Sequence, residues 1–77
     1  MIDDNKIHEK IVSGKARIFL DENSLVHIKL FNGMFLNGRL IEVGDNFLKI
    51  KDRVEGDTKL FFIEIKLITE FMDLSND

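Results

Sequence analysis

The amino-acid sequence predicts a mainly β domain, namely a small, strongly bent, five-stranded antiparallel barrel that follows an N-terminal α-helix. Apolar and polar residues alternate in short runs beyond residue 24, as they do in half-buried strands. Gly, Asn and Asp separate these runs, and Asn32-Gly33 between two alternating runs is the strongest short hairpin signal. Strands joined by hairpins form an antiparallel meander, and closure into a barrel removes its exposed edges.

Length and composition predict a single domain over residues 1–77. Hydrophobic residues make up 44% of the chain and charged residues 32%, which is a globular balance. A core of this size supplies only about 3–5 kcal/mol of stability. The chain has no cysteine, so neither a disulfide nor a cysteine metal site can add to it. We therefore expect oligomerisation to stabilise the protein, and we expect no cofactor.

Charge and hydropathy limit the possible compartments and partners. The amino terminus lacks a secretory signal, and the longest apolar run, residues 60–63, is far shorter than the ~20 residues that span a bilayer. A soluble, cytoplasmic protein that does not contact membrane is expected. The net charge of −3 argues weakly against a protein that coats nucleic acid by bulk charge.

An amphipathic helix is predicted over about residues 3–14, with Gly14 as its stop. Its apolar stripe consists of Ile7, Ile11 and Val12. Residues 15–23 fit either a short extended piece or a helix that continues through Gly14, and we favour the extended piece. A continued helix would place on one side Ile11, Ile18 and Phe19.

Five strands are predicted within a barrel that covers about residues 24–72. Their ranges are 25–31, 35–43, 47–54, 59–66 and 67–72. Gly38 in the middle of the second strand indicates a bend or a close backbone approach. The alternation of apolar residues slips after Leu40, as a β-bulge would cause.

The fourth predicted strand, residues 59–66, is apolar on both faces and must be covered on both. A chain of this length cannot easily cover it twice, so we expect a neighbouring subunit to pair with it in a ring or another cyclic assembly. In the last strand, Ile68 and Phe71 are the residues that we expect to be buried.

One face of the third strand is the best candidate for binding, and it consists of Phe47, Lys49, Lys51 and Arg53. An aromatic ring offers a stacking surface for a base, and cations two residues apart offer phosphate contacts along a line. The same pattern also fits a solvated strand face with Phe47 buried under the helix or at a subunit contact. The sequence leaves both interpretations open.

The remaining candidates have ordinary structural explanations. Asp45 can hydrogen-bond the backbone of its own turn. His27 can contact phosphate or a base, but a partly buried histidine bonded to a neighbouring strand is more common. A lateral basic patch of Lys10, Lys15 and Arg17 is surrounded by acidic residues, so its net field is weak. No catalytic constellation is present, and two histidines without cysteine make a zinc site improbable.

The stretch 32–50 resembles the first motif of the Sm-like family, which includes the Sm and LSm proteins and bacterial Hfq. The matching residues are Asn32, Gly33, Leu36, Gly38, Leu40, Asp45, Phe47, Leu48 and Ile50. The resemblance extends over about residues 4–72 and implies a divergent member with a small SH3-like barrel, a ring oligomer and binding of single-stranded RNA. The RNA-binding residues that it and the charge pattern imply are Asp45, Asn46, Phe47, Lys49, Lys51, Arg53 and His27. In the family, the residue matching Phe47 stacks on a base, and the residue matching Asp45 orients the base-binding loop.

Three departures from the family pattern bear on that implication. The distance from Gly38 to Asp45 is one residue longer than usual, which fits the predicted bulge. Lys49 replaces the asparagine that recognises a base in Sm and LSm proteins. The second motif, Arg-Gly or Lys-His, is missing near residues 63–65. Two functions therefore stay open: a module for single-stranded RNA, or a structural or protein-interaction module that has lost the RNA pocket. An enzyme is not expected.

Overall fold

The computed structural model describes residues 4–71, with side-chain surroundings for residues 6–71. One helix and five strands follow one another along the chain. They are α1 (Asp4–Glu22), β1 (Leu25–Leu30), β2 (Phe35–Val43), β3 (Phe47–Asp52), β4 (Gly56–Phe61), a 3₁₀ turn (Phe62–Glu64) and β5 (Ile65–Glu70). The predicted mainly β fold with an N-terminal helix is confirmed. The predicted helix start at residue 3 and strand end at residue 72 lie outside the described residues.

The five strands form one antiparallel sheet in the order β4-β3-β2-β1-β5. The sheet is open and does not close into the predicted barrel, because β4 and β5 are its two edges and are not paired with each other within residues 4–71. Only the three residues of the 3₁₀ turn connect the two edges along the chain. No helix of the described part is long and apolar enough to cross a membrane.

Helix α1 does not stop at Gly14 but continues to Glu22, so the extended piece predicted for residues 15–23 is wrong. Gly14 costs the helix roughly 1 kcal/mol, and the burial of Ala16 on the sheet offsets that cost. The helix ends in a Schellman motif. Asn23 adopts a positive φ of 54°, and the Ser24 N–H donates to the Phe19 carbonyl over 3.0 Å.

The helix packs on the sheet through a different stripe from the predicted one. Val12 and Ala16 are buried, whereas Ile7 and Ile11 are 44% and 53% exposed. The reason is the longer helix: residues 12, 16, 19 and 20 lie on one side of it, and Phe19 and Leu20 also pack against the core. The small side chain of Ala16 also lets the helix lie close to the sheet.

The core lies between α1 and the inner face of the sheet, which alternate residues of β1, β2 and β3 form. Its members are Val12, Ala16, Val26, Ile28, Leu30, Leu36, Leu40, Leu48, Ile50, Leu60, Phe62, Ile65 and Ile68. The close approach predicted at Gly38 is confirmed, since a Cβ atom there would overlap the Lys51 carbonyl oxygen.

The bulge predicted after Leu40 is also confirmed. Leu40 pairs with Ile50, and Glu42 pairs with the residue adjacent to Ile50, Lys49. Ile41 is therefore an extra residue in β2. The extra residue returns Val43 to the core and leaves Glu42 exposed.

The predicted strand 59–66 is two strands instead of one. Strand β4 ends at Phe61, the 3₁₀ turn carries Phe62 into the core, and β5 begins at Ile65. The Glu64 carboxylate accepts the Phe61 N–H over 3.0 Å and holds the corner. The expected burial of Ile68 is confirmed, while Phe71 is exposed because it follows the end of β5.

Two other strand ends differ by one or two residues from the prediction. Strand β1 ends at Leu30, and Phe31 begins the turn. Strand β3 ends at Asp52, so Arg53 and Val54 belong to a turn and not to the strand. The turn forms there because the Asp52 carboxylate accepts hydrogen bonds from the backbone that follows it.

Candidate nucleic-acid interface

The side of the sheet opposite α1, which we call the outer face, carries most of its charged strand residues. The strand register brings together on it the cations Lys29, Arg39, Lys49, Lys51 and Lys59 and the acids Glu42 and Asp57. These seven side chains sum to a charge of +3, whereas the whole chain has −3. The outer face is therefore the positive side of an acidic protein.

Phe47 lies at the first residue of β3, opposite Phe61 of β4, and outside the buried core cluster. Its half-buried ring packs against Gly44, where an added Cβ atom would collide with the ring. The Lys59 ammonium lies 4.5 Å from the centroid of the Phe47 ring and 5.2 Å from that of Phe61. This cation–π contact covers part of the ring on which a base was predicted to stack.

The three predicted cations of β3 have different surroundings. The Lys49 ammonium lies 3.6 Å from the Glu42 carboxylate, and both side chains are about half exposed. Lys51 is exposed and lies between Arg39 on β2 and Asp57 on β4. Arg53 is exposed in the turn after β3, and its backbone N–H donates to the Asn37 carbonyl over 3.2 Å. Lys51 and Arg53 are thus the more accessible cations.

His27 is bonded to the neighbouring strand, as its structural interpretation predicts. Its Nδ1 lies 2.6 Å from Oδ1 of Asn37 on β2, and its half-buried ring lies 5.4 Å from that of Phe35. Phe35 is 61% exposed and borders a cleft of about 620 Å³ that Asn37 and Arg53 also line. This second aromatic centre lies at the start of β2, beyond the end of β3 that is opposite to Phe47.

Asp45 does not have the role predicted for it within its turn. Its side chain is exposed, and in residues 4–71 its carboxylate makes no hydrogen bond to the turn, which the Gly44 N–H closes by donating to the Phe47 carbonyl over 2.8 Å. The neighbouring Asn46 is exposed and accepts the Phe62 N–H at its backbone carbonyl over 2.9 Å. The Asp45–Phe47 turn is therefore fixed by backbone hydrogen bonds, and the side chains of Asp45 and Asn46 are exposed.

Asp52 performs the role that was predicted for Asp45. Its Oδ2 accepts the N–H groups of Val54 and Glu55, each over 2.8 Å, and its Oδ1 accepts the Asn37 N–H over 3.0 Å. The N–H groups of Glu55 and Val54 lower the pKa of Asp52 below its ordinary value; burial acts in the opposite direction, and the Asn37 N–H lowers the pKa further. The charged carboxylate joins the β3–β4 turn to β2.

Sequence reasoning missed several residues of this face. Lys59 and Arg39 belong to it only because of the strand register, which no local pattern shows. Gly44 is needed beside the Phe47 ring, and its position one residue before Asp45 was the available signal. Of the predicted site residues, four lie on the outer face, with His27 two strands from Phe47, Lys49 and Lys51. The other three lie in turns, and one of them, Asp45, borders a cleft together with Lys10 and Gly14 of α1.

Comparison with protein-family models found no match, and neither did comparison with curated protein sequences. Solved structures with the same fold were found. A crystal structure of the pleiotropic translational regulator Hfq has a TM-score of 0.67 and 15% identity, covering 77% of this chain and 97% of that one. An Hfq protein from Anabaena sp. has a TM-score of 0.64 and 21% identity, covering 75% and 92%. The chain therefore has the Sm-like fold.

Proposed function

We propose that this Sm-like chain binds single-stranded RNA on the outer face of its sheet, as a ring-shaped oligomer and without catalysing a reaction. The observation that carries the proposal is the charge of that face, +3 on a protein of −3, together with the exposed ring of Phe35 and the half-buried ring of Phe47. Phosphate binding depends on lysine and arginine, and bases stack on aromatic rings. The likeness to Hfq supports the same conclusion through the fold.

Stacking and phosphate contacts are coupled at Phe47. A base that stacks on this ring must displace the Lys59 ammonium, which now lies 4.5 Å from the ring centroid. The displaced ammonium is then free to contact the phosphate of the same nucleotide. The ring of Phe35, which is 61% exposed, offers a second stacking surface without such a displacement. RNA binding in this scheme uses both centres along the face.

The ring assembly uses the two free edges of the sheet. Strand β4 of one copy pairs with β5 of the next, a heterologous contact that closes into a ring when its rotation permits. Three exposed apolar side chains near these edges, Phe61, Ile63 and Leu67, become covered by that contact. The ring also repeats the outer face around an axis, which concentrates its positive charge.

A protein-interaction module is the second candidate, and a specific observation favours it. Met34, Phe35 and Val54 are 57%, 61% and 87% exposed beside the cleft of about 620 Å³. An exposed apolar patch with a polar rim is typical of a protein contact. The pairing of Lys49 with Glu42 also removes one cation from the RNA surface.

Fluorescence anisotropy with oligo(U) and oligo(A) at two salt concentrations tests the proposal. Removal of the Phe47 ring in Phe47→Ala is expected to cost about 1–3 kcal/mol of binding free energy per base. Lys51→Gln is expected to weaken binding and to reduce the salt slope by about 1 per contacted phosphate. The matched control Lys15→Gln, on the exposed part of α1, leaves both unchanged.

Absence of RNA binding below about 1 mM at low salt would exclude the RNA function and leave the interaction module. Static light scattering tests the ring separately. A protein that stays a single chain at high concentration would contradict pairing between β4 and β5, whatever the result with RNA.

A further inference from the structure

The helix α1 has an apolar stripe on the side that faces away from the sheet. Ile7, Ile11 and Ile18 are 44%, 53% and 56% exposed, although Val12 and Ala16 on the opposite side are buried. With Gly14, the three isoleucines have the spacing 7, 11, 14 and 18, which places them in one line along a helix. The sheet leaves this line of isoleucines uncovered.

The glycine at the middle of the stripe has no role in the packing of the single chain. A Cβ atom added at Gly14 would meet nothing within 4 Å, and the residue is exposed. Glycine inside a helix costs roughly 1 kcal/mol relative to alanine. Its effect is a gap in the stripe, at which a second helix can approach more closely than over a side chain.

On one flank of the stripe, the charges are arranged for a partner that runs in the opposite direction. At 100° per residue, Lys6, Lys10 and Asp21 lie on the same flank of the stripe, the two lysines near its start and the aspartate near its end. Arg17 does not belong to this set, because its guanidinium donates to the Gly44 carbonyl over 3.2 Å. In a parallel two-fold pair, like flanks lie on opposite sides of the interface, so these lysines and the partner's aspartate would not meet.

We propose that two copies of this chain pair through their α1 helices, antiparallel and with Gly14 on the two-fold axis. In that register each Ile18 faces position 10 of the partner and packs between the partner's Ile7 and the partner's Ile11. Each Asp21 faces position 7 and lies between the partner's Lys6 and the partner's Lys10, because like flanks meet in an antiparallel pair. Both contacts occur twice, as a two-fold axis requires.

This inference goes beyond the proposed RNA function, because α1 and the outer face lie on opposite sides of the sheet. One helix pair buries far less than the ~1,600 Å² of a standard interface, so a single pair is weak. In a ring, every copy carries the same exposed stripe, so two rings joined through their stripes gain from multivalency. The outer faces of both rings then stay open to RNA.

Sedimentation equilibrium over a concentration series up to about 1 mM tests the pairing, since small interfaces need high concentration. The expected result is that Ile18→Glu has half the mass of the wild type at the highest concentration. The ratio of two holds whether the unit that pairs is a chain or a ring, so a failure of ring formation is distinguishable. The control Ile41→Glu, at an isoleucine that is 46% exposed on β2, keeps the wild-type mass.

A charge exchange gives the decisive result. Asp21→Lys alone and Lys6→Glu with Lys10→Glu alone are each expected to halve the mass, and an equimolar mixture of the two variants restores it. Asp21→Lys and Lys6→Glu both suit the helix dipole, so helix loss is not the cause, and circular dichroism checks this. Equal masses of wild type and Ile18→Glu throughout the series, or a mixture that fails to restore pairing, would overturn the proposal.

Discussion

The two faces of the sheet are built from alternate residues of the same strands, yet they obey different constraints. On the inner face, Ile28, Leu48 and Ile50 have no solvent exposure and belong to the core cluster that Val12 and Ala16 of α1 complete. On the outer face, the side chains are charged or half-exposed, and their arrangement depends on pairs across strands, such as Lys49 with Glu42. Volume governs the inner face, whereas register and charge govern the outer face. Substitutions on the inner face should therefore change the stability of the fold, and substitutions on the outer face should change binding.

The largest effect is expected at Gly38, the tightest position of the inner face. In Gly38→Ala the new Cβ atom overlaps the Lys51 carbonyl oxygen, so β2 and β3 must separate. We expect a loss of about 3 kcal/mol or more in the free energy of unfolding, most of the stability of a domain this small. Urea denaturation measures it.

Gly14→Ala is the matched control, because it adds the same methyl group in open space and favours the helix by roughly 1 kcal/mol. Equal urea midpoints for Gly38→Ala and the wild type would mean that the two strands do not approach closely at this point.

A smaller, pH-dependent effect is expected at Asp52, a charged residue at the rim of the inner face. Because its pKa is lowered in the folded protein, its contribution to stability is present above the ordinary value of 3.8 and is lost as the pH falls through the lowered pKa. Asp52→Asn should therefore be less stable than the wild type at pH 7. The difference should shrink below pH 3.8. Thermal unfolding from pH 7 to pH 2 measures it, and a constant difference over that range would contradict the assignment.

The smallest effect is expected from Glu42, the acid that pairs with Lys49 on the outer face. An exposed ion pair contributes only about 0–1 kcal/mol, so Glu42→Gln should hardly change the unfolding midpoint. It frees the Lys49 ammonium, and we expect RNA affinity to rise by about 2–5-fold at low salt. The control Glu70→Gln removes an equal charge at the exposed end of β5. An equal gain of RNA affinity in both variants would mean that net charge, and not the release of Lys49, causes the effect.

The parts of the fold that local pattern controls were predictable from the sequence. The alternation of apolar and polar residues predicted β2 with its observed first and last residues, and the slip of this alternation after Leu40 indicated the bulge. The helix end was not predictable, because Gly14 is a strong local stop signal and the packing of Ala16 and Phe19 overrides it. Periodicity also failed to separate β4 from β5, since it cannot show that Phe62 turns into the core.

The candidate site was predictable only as a set of residue types. The alternation in β3 placed Phe47, Lys49 and Lys51 on one face, as the structure does. The contact between Lys59 and Phe47 depends on the register between β3 and β4. The register depends on where the turn begins, and the sequence does not specify that position. Asp45 precedes β3 and Asp52 ends it, so both positions fit a turn-forming aspartate. Only the hydrogen bonds of the folded chain show that Asp52 has this role.

The bulge at Ile41 gives strand β2 a tolerance for changes in length. Leu40 and Glu42 already pair with consecutive residues of β3, so deletion of Ile41 would turn the bulge into a regular ladder and keep every other pair. The residues after it, from Glu42 to Phe47, would keep their directions. An insertion at this position therefore leaves the arrangement of the candidate site unchanged. A chain of this fold can therefore differ here by one residue and still present the same outer face.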